Sequence, residues 1–299
     1  MKYAINREFG IFRYFRPPLN KPLLKVAKPV LSTLPKGMAN TKSLAITKIK
    51  IPCSDQKTIG AFVIRLKNRE GAQPAILYLH GGGFVLKASP YHYKLAKKYA
   101  LHTNSTVVFV DYRLAFETPR GTTLQDCVDA YSYVLENSAT LNIDKTHVSI
   151  AGDSAGGYLC LALTARCKEL GIPLPQKQML IYPVVDPEMS TESMKKFTDT
   201  PMWNAKQNKK MWAIFSKGQD VYNPLCADLS YFPATYVETA EFDCLRDEGV
   251  LLATKLGQSG VDCVLNETKG TMHGFDICTN APTTASAVEK RVAFLSHKS

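Results

Sequence analysis

The chain has no apolar run approaching the ~20 residues that a bilayer-spanning helix needs. Nor does it open on an uninterrupted apolar stretch before a small-residue cleavage site; its first residues interleave aromatics with arginines. A membrane-spanning or secreted protein is therefore not expected, and a cytoplasmic one is. Paired cysteines are missing too. Cys53, Cys127, Cys160, Cys167, Cys226, Cys244, Cys263 and Cys278 are scattered with no Cys-x-x-Cys, and several fall in apolar periodic segments where a free thiol behaves as a small hydrophobe. Neither a disulfide framework nor a zinc site is expected. Acidic residues are scarce at one end: residues 1–50 hold eleven Lys/Arg against Glu8 alone, so nearly all of the net charge of +11 lies there. No nucleic-acid module pattern accompanies this basic arm, so it reads as a solvated face and no nucleic-acid partner is expected.

What is present is enough for one substantial core: 299 residues with 45% apolar content. Residues 1–44 are set apart by Pro17-Pro18, Pro22, Pro29 and Pro35, with Ile5, Phe9 and Phe12 at helical spacing before them. They read as a helical appendage without a core of its own. Residues 45–51 and 58–66 have β-rich composition around a turn and suggest an antiparallel pair at a sheet edge. From Pro74 onward, apolar strands (75–79, 106–110, 148–151, 177–182, 234–239, 261–266) alternate with amphipathic helices (91–102, 123–136, 155–170, 247–258, 285–295). That alternation predicts an α/β fold with a mostly parallel central sheet covered on both faces, and ligand chemistry at the carboxyl ends of the strands. Residues 186–218, with Trp203 and Trp212 and several methionines, are longer than a connection needs and read as an insertion.

Three motifs sit at those strand ends. Gly152-Asp153-Ser154-Ala155-Gly156 joins a strand to a helix through a very tight turn, which would strain Ser154 and project its hydroxyl above the sheet edge as a nucleophile. His80-Gly81-Gly82-Gly83-Phe84 removes Cβ atoms from a loop whose N–H groups can then face a developing oxyanion. Downstream of Ser154, an acid and a histidine are needed. Asp243 lies just past a strand, with Glu241 and Asp247 as competing choices, and His273 follows the last strand.

Together with Asp111-Tyr112-Arg113-Leu114-Ala115, Asp243-x-Leu245-Arg246-Asp247 and His273-Gly274-Phe275, these motifs resemble the hormone-sensitive-lipase-type family of α/β-hydrolases over about residues 45 to 298. Its bacterial acetyl esterases and carboxylesterases are the nearest in type. The resemblance implies Ser154, Asp243 and His273 as a catalytic triad. It implies the N–H groups of Gly82, Gly83 and Ala155 as an oxyanion hole, with Gly81 next in line. It further implies an acyl-enzyme route on short- to medium-chain acyl esters of small molecules, with no metal and no organic cofactor. The catalytic domain would span 45–299, with a small helical lid made from residues 1–44 and the 186–218 insertion. Phe116 and Cys244 stand where the family has Pro, which bears on two loops and on substrate preference but on no reacting group.

An amidase or formamidase would use the same triad. A non-catalytic ligand-binding protein on this scaffold would need a broken triad, and all three members are present. A membrane-surface contact by the arm is the weaker alternative to a lid, because the prolines confine helix to the first 16 residues. A homodimer is left open.

Overall fold

The computed structural model describes residues 2–17 and 38–296; Pro18, Pro22, Pro29 and Pro35, with the rest of 18–37 in the expected lid segment, lie outside the described residues. The described chain builds an eight-stranded sheet in the order β1-β2-β4-β3-β5-β6-β7-β8. β1 (Leu44–Pro52) and β2 (Thr58–Leu66) are the antiparallel edge pair, and β2 is also antiparallel to β4 (Thr106–Asp111). β3 (Gln73–Leu79), β4, β5 (Ile143–Asp153), β6 (Lys177–Ile181), β7 (Ala234–Phe242) and β8 (Cys263–Met272) run parallel. Ala75 to Leu79 and all of β6 are buried on both faces, as a strand covered by helices on either side must be.

The cover comes from α1 (Pro90–Thr103), α2 (Thr122–Glu136), the single turn α3 (Ser138–Leu141), α4 (Ala155–Leu170), α7 (Arg246–Gln258) and α8 (Pro282–Ser296). The insertion supplies α5 (Glu192–Lys196) and α6 (Ala205–Ser216). Their starts follow from capping chemistry: Thr191 and Asn204 accept backbone N–H groups of the first turn, and α1 begins on Pro90 after a reciprocal Ser89–His92 cap. No helix among the described residues is long and apolar enough to cross a membrane.

Two expectations need correcting. The strand expected to stop at Asn266 continues to Met272, because residues past Asn266 still pair with β7 across an irregularity between Ala240 and Phe242. His273 is thus placed directly at a strand end. The arm is not an α-helix but a 3₁₀ segment (Arg7–Arg13) broken by Gly10 at φ 51°, ψ −128°. Nor is it separate from the core. Tyr3, Ile5 and Phe9 are buried in the main hydrophobic cluster, Phe9 meets Phe275 at 6.0 Å between ring centroids, and Asn6 N donates to Gly270 O at 2.8 Å. Phe12 is half-buried, whereas Phe15 is exposed.

Phe9 has 0% exposure although it lies near the start of the chain, so Phe9→Ala should cost about 3 to 5 kcal/mol of unfolding free energy. Ile11→Ala, at a side chain 76% exposed, should stay within about 0.5 kcal/mol. Urea denaturation of both variants checks the contrast; equal midpoints would mean that the arm does not contribute to the core.

Candidate active site

The turn from β5 into α4 is a single residue, with Asp153 ending the strand and Ala155 opening the helix. Ser154 takes φ 53°, ψ −119°, a region that an L side chain rarely adopts, and its neighbours hold it there: Ser154 N donates to Ile181 O at 2.8 Å and Ser154 O accepts Val184 N at 3.0 Å. A Cβ at Gly156 would lie 1.9 Å from Leu79 O, so no larger residue permits this approach of α4 to β3. The side chain of Ser154 therefore stands at the end of the sheet, beside the first N–H groups of a helix.

Two loops complete the group. His273, just past β8, brings Nε2 to 2.9 Å from Ser154 Oγ, and its Nδ1 lies 2.7 Å from Asp243 Oδ2. Asp243 is fully buried after β7 and its second oxygen accepts Leu245 N at 3.0 Å. The competing carboxylates face elsewhere. Glu241 accepts Gly270 N, and Asp247 accepts Ser193 N and the Arg246 side chain. Since a carboxylate only accepts, Asp243 fixes the proton on Nδ1 and leaves Nε2 as the acceptor for the serine hydroxyl.

The glycine loop after β3 lies against the same turn. Gly82 takes φ 115°, open in practice only to glycine. The N–H groups of Gly82, Gly83 and Ala155 meet no acceptor among the described residues. Gly81, expected beside them, is different: its N–H is committed to Asp153 Oδ1 at 3.0 Å.

That bond reveals a role not read from the sequence. Asp153 precedes the serine and also accepts the Tyr78 hydroxyl at 2.9 Å and His92 Nε2 at 3.1 Å, so one carboxylate ties the serine turn to the glycine loop and to α1. Ser89 N donates to His92 Nδ1 at 2.8 Å, so the His92 proton sits on Nε2, facing Asp153. Burial pushes the Asp153 carboxyl up, but the imidazole of His92 and the Tyr78 hydroxyl outweigh it and hold the group down at about 2. In His80, burial lowers the imidazole to about 4, and the neutral ring stacks on Tyr112 at 4.3 Å.

Above the loop stands Trp203, from the insertion. A Cβ on Gly83 would lie 3.0 Å from its indole, which is also 6.0 Å from the His273 ring. The indole N–H is held by Asn208 at 3.2 Å and the Thr200 hydroxyl donates to Trp203 O at 2.6 Å. Composition alone does not distinguish this tryptophan from ordinary packing. The arm reaches the same insertion: Met202 N donates to Phe15 O at 2.7 Å, Arg16 Nε to Asp199 O at 2.7 Å, and Lys2 pairs with Asp199 at 2.8 Å.

Cys53, Asp126 and Asp129 are close enough together to be considered as metal ligands. Arg113 already engages Asp126 and Ser54 engages Asp129, while burial pushes the Cys53 thiol up to about 12, so these donors are not poised for a cation.

A family model described as alpha/beta hydrolase fold matches residues 76–277 of this chain. The chain is 29% identical over 268 residues to a putative alpha/beta hydrolase of Acanthamoeba polyphaga mimivirus, covering 84% of this chain and 78% of that one. It is 32% identical over 232 residues to the carboxylesterase NlhH of Mycobacterium tuberculosis, with coverage of 74% and 73%. Among solved structures, a bacterial heroin esterase superposes with a TM-score of 0.89 at 26% identity, over 98% of this chain and 97% of that one.

The depressed Asp153 makes a signed prediction. Its contribution to stability is complete above its ordinary value of 3.8 and is lost as pH falls through about 2. The stability gap between the wild type and Asp153→Asn should therefore narrow by roughly 2 kcal/mol between pH 5 and pH 2. Urea midpoints across that range test it; a constant gap would mean that Asp153 is not held ionised by its partners.

Proposed function

The chain belongs to the α/β-hydrolase family, in its hormone-sensitive-lipase-like branch, and from that premise we propose that it is a serine carboxylesterase acting on acyl esters of small molecules. The observation that carries this reading is the relay of 2.9 Å from Ser154 Oγ to His273 Nε2 and 2.7 Å from His273 Nδ1 to Asp243. In this proposal Ser154 attacks the acyl carbon while His273 takes its proton, and Asp243 stabilises the imidazolium. The charge on the carbonyl oxygen is met by the N–H groups of Gly82, Gly83 and Ala155, each worth on the order of 3 kcal/mol in such a site. Collapse expels the alcohol, protonated by His273, and water then releases the acid by the same steps in reverse. Gly81 has an indirect part, holding the loop through Asp153.

We further propose that residues 1–44 and the 186–218 insertion form a lid on a catalytic domain of residues 45–299. The hydrogen bonds from Met202 to Phe15 and from Arg16 to Asp199 support it. Trp203, clamped against the glycine loop, then bounds the acyl side and favours short- to medium-chain acids.

Ser154→Ala should lower turnover of p-nitrophenyl butyrate by at least ~10⁴-fold with the fold retained. Asp243→Asn should lower it by about 10³- to 10⁴-fold, and Glu241→Gln and Asp247→Asn far less. A Ser154→Ala enzyme that kept turnover would move the nucleophile elsewhere, and faster turnover of a p-nitroanilide than of the matching ester would favour an amidase.

Trp203→Ala should open the acyl side. The ratio of kcat/KM for octanoate over butyrate p-nitrophenyl esters is expected to rise at least ~10-fold, the scale on which pocket walls discriminate chain length. An unchanged ratio would remove Trp203 from the acyl pocket.

A further inference from the structure

The proposed mechanism leaves a second buried acid unused. Asp276 lies three residues beyond His273, in the 3₁₀ turn Phe275–Ile277. Its Oδ1 accepts the Tyr182 hydroxyl at 2.5 Å and its Oδ2 accepts Arg291 Nη1 at 3.0 Å. Arg291, on α8, also gives Nη2 and Nε to Glu238 at 2.5 and 3.2 Å and Nη1 to the Tyr99 hydroxyl at 3.0 Å. Glu238 takes the Tyr236 hydroxyl at 2.8 Å and Asn266 Nδ2 at 3.1 Å besides. Asp276, Arg291 and Glu238 are all at 0% exposure.

Such a cluster is a poor device for stability, since desolvating the charges offsets what their attraction returns and an apolar core of the same shape serves as well. Two carboxylates also share one guanidinium, and burial raises the Asp276 carboxyl, with Arg291 opposing and Asp153 and Glu238 adding to the rise. What the arrangement does provide is direction. It meets the imidazole through the Tyr182 ring, which lies 4.8 Å from the His273 imidazole at an interplanar angle of 59°. Tyr182 follows β6 with φ 34°, unusual for a bulky residue, and its N–H donates to Glu238 O at 2.6 Å. Backbone strain of this kind persists only where the surroundings over-determine it. Tyr91 is in side-chain contact with the same hydroxyl from α1.

We propose that Tyr182 is a positioning residue for His273: Asp276, anchored by Arg291, holds the Tyr182 hydroxyl so that its ring keeps the imidazole in line between Asp243 and Ser154. The inference rests on the reading of those three residues as the triad. An imidazole free to turn about its Cβ would keep the Asp243 contact only in part and lose the in-line approach to Ser154 Oγ, where small misplacements are costly. Substrate binding does not depend on that orientation, so the effect belongs to kcat and not to KM.

The experiment measures kcat and KM for p-nitrophenyl butyrate in Tyr182→Phe, Asp276→Asn and the double variant, with Ser154→Ala alongside. Each single change should lower kcat about 10-fold while KM stays within about 2-fold. The double variant should be no slower than the worse single, because both changes act through the same Tyr182–Asp276 contact. Should Asp276→Asn not yield folded protein, Tyr182→Leu replaces it: loss of the whole ring should lower kcat further than Tyr182→Phe does. Wild-type kcat in the Tyr182 variants, or losses that multiply in the double, would overturn the proposal. Turnover in Ser154→Ala would instead remove the triad reading itself, so the two failures are told apart.

Discussion

The reacting edge depends on one backbone approach, that of α4 to the end of β3. With Gly156 lying where a Cβ would be 1.9 Å from Leu79 O, helix, strand and glycine loop come within a few ångströms of one another. Close packing alone leaves the loop free to slide over the turn. Asp153 removes that freedom by accepting from Gly81, Tyr78 and His92 at once, which joins β3, the glycine loop and α1 to the residue before the serine. A single acceptor taken up by three donors is both directional and costly to leave unpaired, so the loop is held from behind.

The polar groups around the site divide by what surrounds them. Asp243 is buried with its two oxygens assigned to His273 and Leu245 N, which leaves the imidazole one tautomer. Glu248, five residues on, is pushed well up by burial, against the Val185 N–H that it accepts at 2.6 Å. Behind His273 the charges return as Asp276, Arg291 and Glu238, linking the C-terminal helix α8 to β7. Each element that carries a residue of the proposed triad is tied to a neighbour by a buried hydrogen bond.

The arm shows how little sequence distance constrains position. Tyr3 packs on Phe197 at 5.8 Å and on Phe242 at 5.9 Å, and its hydroxyl reaches Asp199 at 2.5 Å, so the first residues bridge the insertion and the end of β7. Its aromatics are thus divided between the core and the solvent, and basic residues such as Lys2 and Arg16 find acceptors on the insertion.

Much of this was legible in the order of residues alone. Apolar strands alternating with amphipathic helices predict the parallel sheet because burial on two faces requires that composition, and Ser154, the three glycines, Asp243 and His273 each follow a strand end, where such sheets collect their chemistry. Local pattern alone did not separate Glu241, near the end of β7, from Asp243 and Asp247 beyond it; the family resemblance implied Asp243, and it is the direction of each side chain that brings Asp243 to the imidazole. Gly81 looks equivalent to Gly82 in sequence; a contact with Asp153, 72 residues away, makes it different. Trp203, His92 and Tyr182 likewise owe their places to partners remote in the chain. Local pattern determines strand, turn and helix because backbone sterics and amphipathic period act over a few residues, whereas the assignment of each donor to one acceptor among many is decided only when the packed chain brings them within hydrogen-bonding distance.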